Sequence, residues 1–477
     1  MRPLSGLLPA CCILTVLLSC SGSGQEKKPA PVTPSDKARV IRHIPVVADT
    51  TQSYALYLPG RKPFLVTGAP NGVTRFPVII AFDPHGDGSL PLTRYQDLAE
   101  RYGFILAGSN NSRNGLPGDQ AGDIATRLIR DLLSRYPVDS TRIWLIGFSG
   151  GARVASSTAM YLQKVQGVIG CGAGFGRVER PPAYRFDYIG LAGTADFNVH
   201  EVQGLDKPLT DAGYRHFIAT FPGKHEWPPV EIMENTFRMI VTNAIRDGQL
   251  TKNDSLVQAI SHSLALNIRD CRRINDLTGG VEVCRWALTM LDGLTETGLF
   301  RDEKSSLEQN PMYASQVAYR SQLVEKEENA RQELVTALQQ QGLNWWRTRI
   351  ARELAARGRK VNPKDRKAVE DTLMSYRLMS FLSLYCYMNA TGALNRQDEA
   401  ASIKIVSVYG MCDPENPEPD YMKAILHARR GENQEAVHSL EQAAGKGFTD
   451  RPRLEAQPEF RALAGTPGWK ELMTRIK

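Results

Sequence analysis

Between about residue 40 and residue 248, short runs rich in β-branched and aromatic residues alternate with longer runs whose apolar residues recur every three or four positions. The first pattern predicts strands and the second predicts amphipathic helices. The predicted strands are YALYLP, FPVIIAFDP, GFILAGS, RIWLIGFS, QGVIGCGAGF, FDYIGLAGTAD and YRHFIATFPG. The predicted helices are LTRYQDLAERY, GDIATRLIRDLLSRY and GARVASSTAMYLQ. This alternation predicts βαβ units on a mostly parallel sheet, which carries its chemistry where the strands end.

The pattern changes beyond residue 250, where helical runs replace the strands. Two segments, LNRQDEAASIKIVSVYG and RRGENQEAVHSLEQAAG, align with an offset of 36 residues and pair Ala400 with Ala436. A period of about 34 residues is typical of tetratricopeptide helix pairs. We therefore expect a helical region over residues 250–375 and an all-α domain of tetratricopeptide-like repeats over residues 376–477. Such repeats either bind a protein partner or cover one flank of the sheet domain.

The amino end carries a separate signal. One basic residue precedes an apolar run from about Leu7 to Leu18, which is too short to span a bilayer and predicts a signal peptide over residues 1–19. The sequence LLSC resembles the lipobox of bacterial lipoproteins, and this resemblance implies acylation of Cys20; the alternative is an ordinary secretory signal with a chance cysteine. Residues 20–39, rich in Ser, Gly, Pro and Lys, predict a flexible tether. We expect an exported lipoprotein, anchored to the membrane at the periplasmic face or the cell surface.

Composition and charge narrow the range of partners. The chain has 477 residues, 42% of them hydrophobic, which is enough for two or three domains. It has 58 basic and 51 acidic residues, and removal of the predicted signal peptide takes away only Arg2. The densest basic stretch, residues 347–367, is typical of a solvated helix face, so we predict no nucleic-acid partner. The histidines and acidic residues lack the spacing of metal ligands, and we predict neither a metal nor a cofactor.

A candidate nucleophile follows one of the predicted strands. In Gly147–Gly151, GFSGG, the glycines of a G-x-S-x-G pattern let the backbone turn sharply and expose the hydroxyl of Ser149. A serine hydroxyl is a weak nucleophile until a neighbouring base accepts its proton. His225 follows the last predicted strand and Asp196 follows the strand before it, so the pattern predicts a base and an orienting carboxylate at the same edge of the sheet. Asp206 is the reserve candidate for the carboxylate.

Four segments, IIAFDPHGDG, RIWLIGFSGGARVAS, GLAGTADFN and FPGKHEWP, together resemble the α/β-hydrolase superfamily, specifically its polyhydroxybutyrate-depolymerase and feruloyl-esterase types. The resemblance covers residues 40–248 and implies an α/β-hydrolase fold. The implied catalytic triad is Ser149, Asp196 and His225. The implied oxyanion hole uses the backbone N–H groups of Gly150 and, in the loop HGDG, of Asp87. This loop departs from the depolymerase pattern, because an aspartate side chain repels an oxyanion unless it is turned away.

These features predict a carboxylic ester hydrolase that works through an acyl-enzyme, with a small or polymer-linked ester as substrate. Two alternatives stay open: a serine peptidase of the same fold, and an inactive binding scaffold that uses its helical repeats. The intervals between the core elements are short, which favours an open site. The loop over residues 109–119 offers amide and guanidinium donors at the active edge. The candidate substrate-binding residues are His85, Asn110, Asn111 and Arg113.

The cysteines give a further test of the helical region. Cys271 and Cys284 flank the turn NDLTGG at similar distances, which predicts a disulfide between two antiparallel helices. Cys386 and Cys412 lie about 9 and 17 residues from a turn near Asn395, a mismatch of about 12 Å that argues against a bond between them. Cys171, in a predicted strand, is expected to be a buried free thiol.

Overall fold

A computed structural model describes residues 39–60, 74–175 and 184–476 of the chain. The predicted signal peptide and Cys20 lie outside these residues. The described residues form an eight-stranded sheet. Its strands are β1 (Ile41–Val46), β2 (Asp49–Tyr57), β3 (Phe76–Phe82), β4 (Ile105–Ser109), β5 (Val138–Phe148), β6 (Gly167–Cys171), β7 (Asp187–Gly193) and β8 (His216–Phe221). All seven predicted strands are present, and β1 is an additional edge strand that the sequence pattern did not reveal.

The strand order is β1-β2-β4-β3-β5-β6-β7-β8. The pairs β1–β2 and β2–β4 are antiparallel, and the remaining neighbours are parallel. Strands β4, β6 and β7 are buried along their whole length, because helices cover both faces of the sheet. Burial on both faces explains why these strands are continuous apolar runs. This is the α/β-hydrolase fold, and the predicted fold class is confirmed.

Six helices of the described residues belong to the sheet domain. They are α1 (Ser89–Tyr102), α2 (Gly118–Arg135), α3 (Gly150–Leu162), α4 (Val199–Gln203), α5 (Asp206–Asp211) and α6 (Val230–Arg246). Apolar side chains of α1 and α6 pack in one core on one face of the sheet, and those of α2 and α3 pack in a second core on the other face. The parallel strands therefore end together at one edge, where the loops before α1, α3, α4 and α6 meet.

The described residues beyond residue 250 are helical, as predicted. The helices are α7 (Asp254–Arg273), α8 (Leu277–Leu291), α9 (Gly298–Glu308), α10 (Pro311–Gln340), α11 (Leu343–Arg357), α12 (Arg366–Asn395), α13 (Glu399–Cys412), α14 (Glu418–Arg429), α15 (Asn433–Gly445), α16 (Arg451–Ala456) and α17 (Pro467–Arg475), with a 3-10 helix over Pro458–Leu463. Among the described residues, no helix combines the length and apolar character that crossing a bilayer requires.

The hydrophobic cores divide these helices at a different place from the sequence pattern. Helices α7, α8 and α9 extend the core on the α1 and α6 face as far as Leu307, and a separate core begins at Leu323. The predicted boundary between residues 375 and 376 falls inside α12, which is one continuous helix. The structure therefore places the change of core within α10, where Tyr313 packs against the first core and Leu323 belongs to the second.

The predicted disulfide between Cys271 and Cys284 is wrong in this structure, where both residues are free thiols. A Cβ atom built on Gly280 would lie 3.6 Å from the Cβ atom of Cys271. Cys271 therefore faces Gly280, one helical turn away from Cys284. Burial raises the pKa of the Cys271 thiol to about 12 and that of Cys284 to about 11.

The expectation that Cys386 and Cys412 form no disulfide agrees with the structure, but the reason given for it needs correction. Cys386 and Cys412 are buried free thiols. Burial, and then the hydrogen bond between the two thiols, raise the pKa of Cys412. The thiols are therefore in contact and not about 12 Å apart. The turn is centred on Gln397, which has a φ of 57°, and not on Asn395, so the two helices pair at a different height. Cys171 is a buried free thiol in β6, as expected.

The repeat alignment is displaced by two residues. Helix α13 begins at Glu399 and α15 begins at Asn433, an offset of 34 residues. Ser402 and Ala436 occupy equivalent positions at this offset, and both are 0% exposed. Ala400 is exposed and is not the partner of Ala436. The tetratricopeptide assignment stays a prediction.

Candidate active site

Ser149 lies on a strained turn between strand and helix. Strand β5 ends at Phe148 and α3 begins at Gly150, which leaves Ser149 between them with φ 53° and ψ −121°. Positive φ is uncommon for a residue with a side chain, and such strain persists only where the surroundings impose it. A Cβ atom on Gly147 would lie 2.1 Å from the carbonyl oxygen of Gly151, so this tight turn requires glycine. The turn presents the Ser149 hydroxyl at the edge of the sheet.

A chain of hydrogen bonds connects Ser149, His225 and Asp196. The Ser149 Oγ atom lies 3.0 Å from His225 Nε2, and His225 Nδ1 lies 2.9 Å from each carboxylate oxygen of Asp196. A carboxylate only accepts hydrogen bonds, so Nδ1 carries the imidazole proton and Nε2 offers a lone pair to the serine hydroxyl. The N–H of Asn198 also donates to Asp196, at 2.8 Å. Asp206, the reserve carboxylate, lies elsewhere and pairs with His216 at 3.2 Å.

The surroundings of His225 keep water away from the pair with Asp196. Asp196 is 0% exposed. The ring centroids of Phe148 and Phe197 lie 4.6 Å and 4.3 Å from that of the imidazole. In such an apolar environment, a buried carboxylate stabilises a positive charge on the imidazole more strongly than it does in water.

The loops that carry Asp196 and His225 are joined to each other by hydrogen bonds. Asp196 follows β7 and His225 follows β8, the neighbouring strand. The N–H of Thr194 donates to the carbonyl of Phe221 and the N–H of Ala195 donates to that of Gly223, both at 2.8 Å. The strand order therefore brings together residues that lie 29 positions apart in the sequence.

The two backbone N–H groups that the sequence analysis assigned to the oxyanion hole have no partner in the part of the chain that the structure describes. Among the described residues, no acceptor pairs with the N–H of Gly150 or of Asp87. The Asp87 carboxylate accepts from the N–H groups of Ser89 and Leu90, at 3.0 Å and 3.2 Å, at the start of α1. This side chain is therefore turned towards the helix, which removes the repulsion expected from an aspartate in this loop.

The candidate substrate-binding residues divide into two pairs. The Asn110 side chain donates to the carbonyl of Arg42 at 3.0 Å, and the Asn111 Oδ1 atom accepts from the N–H of Ser53 at 2.7 Å. These amides hold the loop against β1 and β2, and a role in substrate binding stays a prediction. His85 and Arg113 form a backbone bridge, and both side chains are exposed.

Asn114, in the same loop, is a residue that the sequence analysis missed. Its N–H donates to the carbonyl of Pro84 at 2.8 Å. A Cβ atom on Gly150 would lie 1.8 Å from the Asn114 Oδ1 atom, so this amide lies against the start of α3. An asparagine next to a glycine predicts only a turn. The contact depends on how close the loop comes to the nucleophile, which the sequence does not show.

Trp227 is a second missed residue. Its indole Nε1 donates to Asp83 Oδ2 at 2.9 Å, and Asp83 is 1% exposed. Burial raises the pKa of Asp83, but the hydrogen bonds from His85 and Trp227 outweigh it and hold the pKa below its usual range. Trp227 thus ties the loop of His225 to the end of β3. Among the described residues, no three His, Cys, Asp or Glu side chains are placed to hold a metal ion.

Several solved structures are similar to part of this chain. A fluorophosphonate-binding serine hydrolase of Staphylococcus aureus is 12% identical, with 43% of this chain and 97% of that chain covered and a TM-score of 0.34. An S-formylglutathione hydrolase of Staphylococcus aureus is 13% identical, with coverages of 43% and 95% and a TM-score of 0.34. Esterase B of Lactobacillus rhamnosis, in an inhibited form, is 16% identical, with coverages of 45% and 90% and a TM-score of 0.35. No protein-family model and no curated protein matches the sequence.

Proposed function

We propose that this protein is a serine hydrolase that cleaves carboxylic esters through an acyl-enzyme on Ser149. One observation carries the proposal: the hydrogen-bond chain from Ser149 through His225 to the buried carboxylate of Asp196, at 3.0 Å and 2.9 Å. A nucleophile, a base and a group that orients the base are the parts that acyl transfer needs. The strained backbone of Ser149 supports the same reading, because strain of this kind clusters at active sites.

In the first half of the reaction, Ser149 Oγ attacks the ester carbonyl carbon as its proton moves to His225 Nε2. The carbonyl π electrons move onto oxygen, and the N–H groups of Gly150 and Asp87 stabilise the resulting anion. Loss of one such donor costs about 3 kcal/mol in other enzymes. The tetrahedral intermediate then expels the alkoxide, which takes the proton from His225 and leaves as the alcohol. Asp196 stabilises the imidazolium while it exists.

In the second half, water replaces the alcohol. His225 takes a proton from the water as the water oxygen attacks the acyl carbon. The N–H groups of Gly150 and Asp87 then stabilise the second tetrahedral anion. Ser149 leaves as the acid is formed and recovers its proton from His225. The products are a carboxylic acid and the free enzyme.

The first experiment is labelling of the soluble protein, beginning at Glu26, with a fluorophosphonate, followed by peptide mass spectrometry. We expect one adduct on Ser149, absent from Ser149→Ala and His225→Ala. Rates on p-nitrophenyl esters and on peptide anilides of the same acyl group then separate an esterase from a peptidase. Folded protein that gives neither an adduct nor turnover would overturn the proposal in favour of a binding scaffold.

We also propose that Cys20 carries a lipid anchor, on the basis of the segment LLSC and the apolar run before it. Two or more acyl chains are sufficient for stable anchoring. Expression of the full chain in a bacterium fed an alkyne-tagged fatty acid tests this. We expect Cys20→Ser to abolish incorporation and to release the protein from the membrane fraction. Equal incorporation in both proteins would refute the assignment.

A further inference from the structure

A buried cluster of charges connects the C-terminal helices to the loop that carries Asp196. Its centre is Glu327 of α10, which is 1% exposed. Glu327 Oε2 accepts from Arg377 Nε of α12 at 2.7 Å and lies 3.1 Å from His200 Nε2 of α4. Glu327 Oε1 accepts from Arg331 Nη2 at 2.5 Å. One carboxylate is therefore surrounded by two guanidinium groups and an imidazole.

Both guanidinium groups also reach the backbone on either side of Asp196. Arg377 Nη1 donates to the carbonyl of Thr194 at 2.8 Å, and Arg331 Nη2 donates to the carbonyl of Phe197 at 2.7 Å. His200, three residues beyond Phe197, provides a third attachment through Glu327. The loop over residues 194–200 is thus held at both ends and beside its centre by residues of α10 and α12.

Helix α12 also contacts the loop of the base. The Lys224 ammonium lies 5.9 Å from the ring centroid of Tyr376, next in sequence to Arg377. A second cation, the guanidinium of Arg357, lies 4.4 Å from the same ring. Adjacent residues of one helix therefore contact the acid loop and the neighbour of His225.

The charges explain why the loop carbonyls belong to the cluster. A single carboxylate cannot satisfy all the N–H groups of the buried Arg377 and the partly buried Arg331, and an unpaired buried donor is costly. The carbonyls of Thr194 and Phe197 accept from the N–H groups that face the sheet domain. Burial raises the pKa of Glu327, but the hydrogen bond with His200 and the charges of Arg377 and Arg331 hold it below its usual range. The carboxylate therefore stays ionised and keeps both arginines in place.

We propose that Arg377 and Arg331 are positioning residues for the hydrolytic reaction, which hold the 194–197 backbone so that Asp196 stays at hydrogen-bond distance from His225. The inference rests on the function proposed for Ser149. It assigns the C-terminal helices a part in catalysis: α10 and α12 complete the support of the acid, although no residue of these helices belongs to the triad.

The test compares two conservative variants of the full chain. Arg377→Lys keeps the positive charge, but one ammonium group cannot reproduce the fork that joins Glu327 to the Thr194 carbonyl. Misplacement of a catalytic group by about 1 Å costs about 100-fold in rate, so we expect kcat to fall about 10- to 100-fold. We expect KM to change less than about threefold, because Arg377 acts through Asp196. The rate of fluorophosphonate labelling should fall by the same factor as kcat.

The matched control is Arg453→Lys. Arg453 pairs with Glu418 through two hydrogen bonds of 2.6 Å and 2.9 Å, and its guanidinium lies 4.1 Å from the ring centroid of Tyr421. The structure shows no contact between Arg453 and the loops of the triad. We expect this variant to lower the melting temperature and to leave kcat within about twofold of the wild type.

The outcomes separate this inference from the proposed function. Unlabelled, inactive wild-type protein would refute the function itself. Labelled wild-type protein, with kcat and labelling rate in Arg377→Lys equal to those of Arg453→Lys, would refute the positioning role alone. If Arg377→Lys does not fold, Arg331→Lys provides the same test at the Phe197 carbonyl. A fall in its kcat and labelling rate would support the positioning role, and values equal to those of Arg453→Lys would refute it.

Discussion

Among the described residues, two partly buried histidines each pair with a buried carboxylate, one in the sheet domain and one where the sheet domain meets the helices. His225 lies 2.9 Å from Asp196, and His200 lies 3.1 Å from Glu327. The two carboxylates are 0% and 1% exposed. By distance and burial, the pairs are almost equivalent, although their surroundings differ.

The two pairs differ in the other groups that contact the carboxylate and the histidine. Asp196 accepts from the imidazole and from the N–H of Asn198, and the other nitrogen of His225 faces the Ser149 hydroxyl. Glu327 is also paired with two guanidinium groups. A carboxylate that faces two permanent cations is already neutralised and serves structure. A carboxylate whose main partner is a neutral imidazole can stabilise the charge that appears there during proton transfer.

Loss of the proposed nucleophile should have the largest effect. Ser149→Ala should lower kcat on a p-nitrophenyl ester by about 10⁵- to 10⁶-fold, and His225→Ala should have a similar effect, because the two residues act as one unit. Steady-state kinetics check this, with circular dichroism to confirm that each variant is folded. If the double variant is far slower than either single variant, the two residues do not act together.

Exchange of one carboxylate for an amide should show whether Asp196 or the reserve candidate Asp206 orients His225. Asp196→Asn should lower kcat by about 10³- to 10⁴-fold, because the amide favours the wrong tautomer of His225. Asp206→Asn, at the reserve position, should leave kcat within about twofold. A large loss in Asp206→Asn with activity retained in Asp196→Asn would reverse the assignment of the acid.

Glu327 should matter most for stability. Glu327→Gln breaks a buried ion cluster, which costs about 3 kcal/mol in the free energy of unfolding at pH 7. Because Arg331, Arg377 and His200 hold the folded pKa of Glu327 below its usual value of 4.5, its contribution is present above about pH 4.5. It is lost as the pH falls through the folded pKa.

Urea unfolding of the wild type and of Glu327→Gln between pH 3 and pH 8 measures the difference in their free energies of unfolding. The difference in the free energy of unfolding between wild type and Glu327→Gln should disappear at the lowest pH values of this range. Glu435→Gln, at an exposed position of α15, should change the stability by less than about 0.5 kcal/mol. A gap that stays constant over the whole range would show that the Glu327 charge contributes no pH-dependent stability.

The smallest effect is expected at Asn114. Its amide lies against Gly150, and loss of one hydrogen bond to a bound substrate is worth about 1 kcal/mol, or about fivefold in kcat/KM. We therefore expect Asn114→Ala to lower kcat/KM about fivefold without a change in melting temperature. An unchanged kcat/KM over a panel of esters would show that this side chain only shapes the loop.

The chain order of the triad candidates could be predicted because each follows a strand of a parallel sheet. Such strands end at one edge, so residues far apart in sequence meet there without any detailed knowledge of packing. The loop candidates were less predictable. Asn110, Asn111 and Asn114 are the same residue type in one short segment, and only the approach of the loop to Arg42 and Gly150 distinguishes their roles.

The cysteines of the helical region also show that sequence position alone does not predict side-chain contacts. The turn is centred on Gln397, and Cys386 and Cys412 are in contact. Cys271 faces Gly280 and therefore does not meet Cys284. Counting residues from a turn estimates the height of a side chain on a helix. It does not determine which neighbour the side chain faces.

By itself, the sequence predicted the order of strands β2 to β8, the sharp turn at Ser149 and the positions of Asp196 and His225 at strand ends. These features depend on the local periodicity of apolar residues and on the closely spaced glycines around Ser149. Only the tertiary structure decided that Arg331 and Arg377 hold the acid loop, across separations of 134 and 183 residues. On a helix, a buried arginine and a solvated one have the same sequence pattern, and the difference arises from what the fold places against them.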